Sequence, residues 1–406
     1  MPSKPRIAII GAGPAGLTLG LLLHNQNIPF TIYERRQKPT AEELAKPSGM
    51  LDLHDESGLA AIQACGIYDN FLKLTGECSE DQVVANIDGN VIYTDNGGLS
   101  ERPEISRHAL TGLLGAYLPE GSVRWGVKLL SASFSRTTTA ANTGTDLVVG
   151  ADGAWSRLRN LLTSTKPLYT GIQCLTTTIT NITARHPHLA SLVGNGSFSA
   201  LGQNHGIMSQ RGPLDSARIY TFLSIPDEQF PTTSGLDRCT AIEAKGRLLT
   251  DDTLLGRFGE KLKEIISVSV PCDAEPGDHT GALLEIKPLY ALPAGSSWTH
   301  SPNVTLVGDA AHLMPPWAGE GVNLAMWDSL NLARVIIAAY QSTTGTEPDS
   351  FLSVLDQALQ SFKADIVARA KEKAEETEKN GKMLFGDNAA VAFRDFFLTA
   401  YGHTEA

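Results

Sequence analysis

The sequence predicts an α/β chain whose parallel sheet is built from separated segments, split by a β-rich insert and followed by a long helical tail. Three observations predict this. A strand–helix–strand unit opens the chain, strand-plus-turn segments of the same kind recur near Asp146 and Asn303, and a Thr-, Ser- and Gly-rich stretch lies between them. A length of 406 residues suits two or three structural units.

Arg6–Ile10 is a short apolar run rich in β-branched residues, followed by a Gly-rich turn, an apolar helix from about Pro14 to Asn25, and a second strand over Pro29–Tyr33. Both strands are apolar because helices cover both faces of a parallel sheet. Asp146–Gly150 and Asn303–Gly308 supply two more strands. Residues 171–284 alternate polar with apolar, as in Ala217–Ser224, which predicts a largely antiparallel sheet with one face toward a ligand. From Phe351 to about Lys382 the chain is rich in Ala, Glu and Lys and free of Pro, so a long helix is expected, with Gly381 as its C-terminal punctuation. The expected division is 1–75, 100–170 and 285–350 for the first unit, 76–99 and 171–284 for the second, and 351–406 for a closing helix.

Apolar residues make up 42% and charged residues 19%, a composition that packs a globule and argues against disorder. The net charge of −11 makes nucleic acid and anionic membranes poor partners. Leu17–Leu23 is too short to span a bilayer, and no signal peptide is expected ahead of the strand at Arg6. Cys65, Cys78, Cys174, Cys239 and Cys272 are scattered, odd in number and never CxxC. They read as reduced thiols in a cytoplasmic protein with no metal site. The N-x-S/T sequons at Asn181, Asn195 and Asn303 are read as chance.

Gly11-Ala-Gly13-Pro14-Ala15-Gly16 follows a strand and opens a helix. Glycines there let the backbone turn tightly and approach a pyrophosphate, and the helix N-terminus offers free N–H groups and a positive dipole end. Glu34 ends the second strand, 18 residues on from Gly16, where an acid accepts hydrogen bonds from ribose hydroxyls. An adenine dinucleotide is expected, though this fingerprint does not choose between NAD and FAD. The alternative is a Gly-rich turn with no ligand.

Two later motifs do choose. Asp146–Gly153 leads into Ser156, Arg157 and Arg159, and Gly308-Asp309-Ala-Ala-His312 runs through Pro315, Pro316 and Trp317 to Gly321. With GxGxxG, DG and GD motifs in this order, the chain resembles the aromatic hydroxylase family of flavoprotein monooxygenases over most of its length. The resemblance implies a Rossmann-like FAD-binding domain of the glutathione-reductase type, an inserted β-rich substrate domain and a C-terminal bridging helix. It implies FAD held by Gly11, Gly13, Pro14, Ala15, Gly16, Glu34, Arg35, Asp52, Arg107, Asp152, Gly308, Asp309, Pro316, Gly319, Gly321 and Val322. Arg107 would touch the ribityl or phosphate region, Asp309 the ribityl chain, and the Pro315–Gly321 loop the flavin pyrimidine edge. Arg107 and Arg157 could instead be surface arginines, and Asp309 a helix cap.

Gly49-Met-Leu-Asp52-Leu-His54, Pro103–Arg107 and Gly308–Pro316 also look like the tetracycline-inactivating flavin monooxygenases. That likeness implies a substrate site of Gln173, Phe198, Tyr220, Pro316, Trp317, Ala318, Gly319 and Asn380. Phe198 and Tyr220 depart from the arginine and histidine of that family, so a tetracycline, another fused-ring polyketide and a phenolic compound all remain open. Gln173 and Tyr220 could instead face neighbours in the sheet, and Trp317 could be core. His54 and His312 could be bases or satisfied structural residues.

The resemblance implies that NADPH or NADH reduces FAD transiently and that O2 then yields a flavin C4a-hydroperoxide, which hydroxylates an enol or phenolate. A dry pocket then matters more than a dedicated base. A monomer is expected. Two other readings stay open: an FAD-dependent dehydrogenase or reductase without oxygen transfer, and a non-catalytic protein that binds flavin and an aromatic ligand.

Overall fold

The Gly-rich turn leaves the central strand of a five-stranded parallel sheet. A computed structural model describes residues 5–76, 78–97, 103–132, 145–271, 283–343 and 348–401. Cys272 and the ends of several expected segments lie outside them. The sheet order is Val304–Leu306, Leu147–Gly150, Ile7–Ile10, Phe30–Glu34, Val123–Trp125. The chain moves outward from Ile7–Ile10 to Phe30–Glu34, then places Leu147–Gly150 on the other side of the first strand. That reversal makes a topological switch point, where the carboxyl ends of the strands leave a crevice.

The first helix, Pro14–Asn25, is buried nearly all round. Helix Gly321–Ser342 lies against it, and Ser329 Oγ donates to the Ala15 carbonyl at 2.9 Å. Ile9, Leu17, Leu19, Leu147, Leu306 and Met326 share one large core. A two-stranded ladder, Met50–Asp52 against Glu104–Ser106, stands beside it.

The second sheet has eight strands. Its backbone is Leu168–Ile179, Ser216–Ser224, His205–Gly212 and Ser197–Gly202, joined antiparallel. Gln82–Ala85 joins Ser197–Gly202 in parallel, and Val91–Asp95 closes that edge. Ile286–Ala291 pairs with Leu168–Ile179, so this sheet extends past the 171 and 284 limits drawn from composition. Helices Ala241–Thr250 and Glu260–Val268 cover its outer face, burying Leu175, Phe198, Ile219 and Leu262 in a second core.

The tail forms two helices, Pro348–Leu384 and Ala389–Tyr401, where one was expected. The break follows Leu384, and Asn388 takes a left-handed φ of 56°. Gly381 is not the cap. It lies inside the long helix, and a Cβ there would stand 3.0 Å from Trp317 Cδ1, so glycine permits close approach. The second helix stacks Phe397 on Tyr93 at 5.4 Å. Among the described residues, no helix is long and apolar enough to cross a membrane.

Candidate active site and cofactor crevice

The three glycines of the first turn have different reasons to be there. A Cβ on Gly11, at φ +111°, would meet the Ala151 carbonyl oxygen at 2.2 Å, and one on Gly16 would meet the Gly11 oxygen at 2.0 Å. Gly13 caps its helix at φ −78°, ψ 180°, with nothing within 4 Å of the place its Cβ would take. Packing within the protein therefore dictates the outer two glycines but not the middle one. The open ground beside Gly13, at a helix N-terminus with no side-chain cap, fits an anion drawn against the backbone. Pro14 at the first helical position removes one N–H that would otherwise need a partner, and Ala15 is buried. Glu34 closes over the turn: Oε2 accepts from Ala12 N and Oε1 from Arg36 N, both at 2.8 Å. Arg35 is exposed beside it.

Across the switch point, Asp152 Oδ2 accepts from Arg157 N at 2.8 Å, while its buried Oδ1 has no partner among the described residues. Arg159 is buried and donates to the carbonyls of Asp309 and Ala310, both at 3.2 Å, and to that of Ala154. This clamp fixes the backbone of the GD motif to the segment after the DG motif. Asp309 is exposed to solvent, although protein atoms crowd around it. Desolvation pushes its pKa up, while His312, Arg107 and Arg159 pull it down. Arg107, at the start of helix Arg107–Ala116, is near enough to Asp309 for its charge to be felt there. Gly308 adopts φ +60° and fits against Ala325 and Ala15.

Behind Asp309, Asp328 is fully buried and accepts from Gly308 N at 3.0 Å, His312 Nε2 at 2.5 Å and Arg369 at 3.3 Å. Burial disfavours the His312 cation, but Asp328 and Asp309 outweigh it and raise its pKa. His312 is thus tied to Asp328 by its Nε2 and buried, which suits a structural residue better than a free base.

The loop beyond it turns at Pro316–Ala318 and reverses through Gly319 at φ +68°. A Cβ on Gly319 would lie 3.6 Å from the Asp52 carboxylate. Asn323, fully buried, donates to the carbonyls of Asp52 at 2.9 Å and Gly319 at 3.4 Å, and accepts from His54 N at 2.9 Å. It bolts the Met50–Asp52 strand to the loop. His54 Nε2 stands 3.2 Å from Asp52 Oδ2, and Nδ1 3.7 Å from Glu320 Oε2. Gly321 opens its helix with nothing within 4 Å of its Cβ position, and the half-buried Val322 packs on the core.

Beside this loop lies a cavity of about 470 Å³. Its walls come from strand Leu168–Ile179, residues 291–294, Met314, Pro315, Trp317 and the inner face of the long C-terminal helix. Trp317 packs edge-on against Phe222 at 4.7 Å and Phe385 at 4.9 Å. Tyr169 lines the cavity and donates to the Ile225 carbonyl at 2.7 Å.

Of the residues expected at the substrate, only Trp317 lines this cavity. Phe198 is fully buried in the core on the outer face of the sheet. Gln173 is also fully buried, pairs across from Leu223 of that core, and donates to the carbonyls of Asp227 and Glu228 at 3.0 and 3.1 Å. Strand side chains alternate faces, so a position one residue away from either would point inward instead. Tyr220 does lie on the inner face, with its hydroxyl over Gly49 and its ring stacked on Phe222. Asn380 Nδ2 donates to the Trp317 carbonyl at 3.1 Å and supports the loop. Pro316, Ala318 and Gly319 belong to the loop but do not line the cavity. Sequence reasoning missed Phe222, Phe385, Asn323 and Glu320. Phe222 was within reach, because it shares Tyr220's face at a spacing of two.

A switch-point crevice with an open glycine at a helix N-terminus and a clamped acid opposite, together with a separate cavity walled by the second sheet, define an α/β protein suited to a dinucleotide. Residues 296–369 match the family described as FAD binding domain. The chain is 35% identical to Monooxygenase penA of Penicillium thymicola and 33% identical to Monooxygenase asqM of Emericella nidulans, covering 96% of this chain and 97% of the relative in each case. The chain belongs to the FAD-dependent monooxygenases of aromatic hydroxylase type. Its fold is similar to Klebsiella pneumoniae HpxO complexed with FAD and uric acid (TM-score 0.70, 16% identity, 100% of this chain and 94% of that one). It is also similar to tetracycline destructase Tet(51) (TM-score 0.61, 18% identity, 96% and 98%). At these identities the likeness speaks to fold alone, so it does not single out the tetracycline-inactivating enzymes.

Proposed function

We propose that this monooxygenase hydroxylates a planar, electron-rich fused-ring phenol or enol in the 470 Å³ cavity, using NADPH or NADH as transient reductant and O2 as co-substrate. The observation that carries this is the wall made by Trp317 and Phe385, with Phe222 packed behind Trp317, directly on the Pro315–Gly321 loop. Flat aromatic surfaces recognise flat ligands by stacking and edge contacts. The cofactor, once bound, supplies the oxygen activation.

In this reading the chain's own residues bind, orient and exclude water. Gly13 and the N-terminus of Pro14–Asn25 receive the pyrophosphate, Glu34 turns toward the adenosine ribose, and Asp309 and Arg107 meet the ribityl and phosphate region. Gly319, Gly321 and Val322 present backbone to the flavin ring. The long helix roofs the cavity through Ala374, Thr377 and Gly381, with Phe385 just past its end, which keeps water from the reacting atoms. A tetracycline is one candidate among polyketides and phenols of this shape.

The test is NADPH and NADH oxidation by FAD-loaded protein against tetracyclines, anthraquinones and simple phenols, with mass detection. Substrate-stimulated oxidation that consumes O2 and adds one oxygen to the ligand is expected. Turnover with no oxygen incorporated into any stimulating ligand would replace hydroxylation by a reductase reading.

A further inference from the structure

One face of the C-terminal helix grips the loop that precedes helix Gly321–Ser342. Arg369 pairs with Asp328 at 3.3 Å, Lys373 Nζ with Glu320 Oε1 at 2.6 Å, Thr377 with the Met314 sulfur at 3.7 Å, and Asn380 with the Trp317 carbonyl at 3.1 Å. Steps of three and four residues place all four side chains on a single stripe. Their partners all fall between Met314 and Asp328, so the helix reads the loop as well as roofing the cavity.

Glu320 is the unusual member. It occupies the N-cap position of a 22-residue helix and is buried, with 8% of its surface exposed. A carboxylate at a helix start satisfies the dipole locally and cancels the positive field that a ligand beyond the helix would feel. Its two oxygens face cations or potential cations: Lys373 on one side and His54 Nδ1 on the other at 3.7 Å. Lys373 also reaches Glu376 at 3.2 Å, but that carboxylate is far more exposed and better screened.

We infer that Lys373 is a positioning residue for the flavin: it neutralises Glu320, so that the helix N-terminus keeps its positive field for the reduced, anionic ring. This rests on the reading that the ring system lies against Pro315–Gly321. The chemistry is unchanged by it. What the ion pair sets is how readily the bound flavin accepts two electrons.

The test is the midpoint potential of FAD-loaded wild type, K373M, K373R, E320Q and K373M/E320Q, with flavin affinity by fluorescence titration and melting temperature in parallel. K373M should lower the two-electron reduction equilibrium about tenfold, roughly 30 mV. K373R should keep the wild-type potential, and K373M/E320Q should restore it. E320Q alone should raise it, which decides the matter if K373M fails to retain flavin. A K373M protein with wild-type potential but a lower melting temperature would reduce the pair to a structural tie and overturn the inference. So would a double variant that stays low, or an E320Q potential that does not rise. Wild-type protein that takes up no flavin would instead sink the cofactor reading on which this depends.

Discussion

His312 Nε2 lies 2.5 Å from Asp328 Oδ2, and Asp328 also receives the Gly308 N–H and the Arg369 guanidinium. One buried carboxylate thus ties the GD motif to the C-terminal helix. Removing it would strand the Arg369 guanidinium, the buried His312 ring and the Gly308 N–H. We expect Asp328→Ala to cost about 3–5 kcal/mol, read by denaturant unfolding. His312→Gln, which keeps a donor for Asp328, should cost less.

The glycines of the first turn should separate by phenotype. Gly13→Ala should leave unfolding within about 0.5 kcal/mol of wild type, because nothing is met and the backbone is extended, yet weaken FAD binding by tenfold or more. Gly16→Ala should fail to fold stably, since its Cβ would overlap the Gly11 carbonyl. Thermal melts of apo-protein beside flavin titration check both. A Gly13→Ala protein that binds FAD normally would remove the pyrophosphate from this turn.

The two faces of the second sheet make a third contrast. Phe198→Ala should cost about 3–5 kcal/mol by leaving a cavity in the outer core, with KM unchanged below its melting temperature. Trp317→Ala should raise KM about tenfold with a smaller loss of stability, measured by steady-state kinetics once a substrate is found.

Glu104 faces Asp52 across the two-stranded ladder, hydrogen-bonded with Cys78 and near Glu80, with one buried oxygen that finds no partner among the described residues. Burial pushes its pKa up from 4.5 to about 7. The folded state then binds its proton more tightly than the unfolded state. The resulting stability is complete below about pH 4.5 and is lost as pH rises through about 7. Glu104→Gln should therefore be more stable than wild type above pH 7, by up to about 3 kcal/mol, with the advantage shrinking toward pH 5. Paired unfolding curves at pH 5 and 8 test this; a constant difference would show that the carboxyl does not titrate there.

Local pattern carried the nucleotide unit into view. The strand at Ile7, the helix at Pro14 and the glycine spacing are fixed by neighbours in sequence, and the structure places them within a residue or two of expectation. The cavity was much less legible. Phe198 and Gln173 enter the expected site only through a family resemblance, and in a strand an offset of one residue moves a side chain from one face to the other. Asn323, Arg159 and Glu320 gain meaning only from partners far away in the chain, as when Asn323 spans to Asp52. No local periodicity encodes such a pairing. Gly381 resembled a helix stop because Gly often is one, whereas its neighbour across space, Trp317, gives the actual reason.

The parallel seam between Gln82–Ala85 and Ser197–Gly202 bears on how such proteins can exchange parts. The second sheet is stitched from two excursions of the chain, separated by the ladder at Glu104 and the strand at Leu147. A chimera that swaps only the longer excursion inherits a foreign strand along one margin and has to match its side chains there. Swaps between relatives should succeed when both excursions travel together.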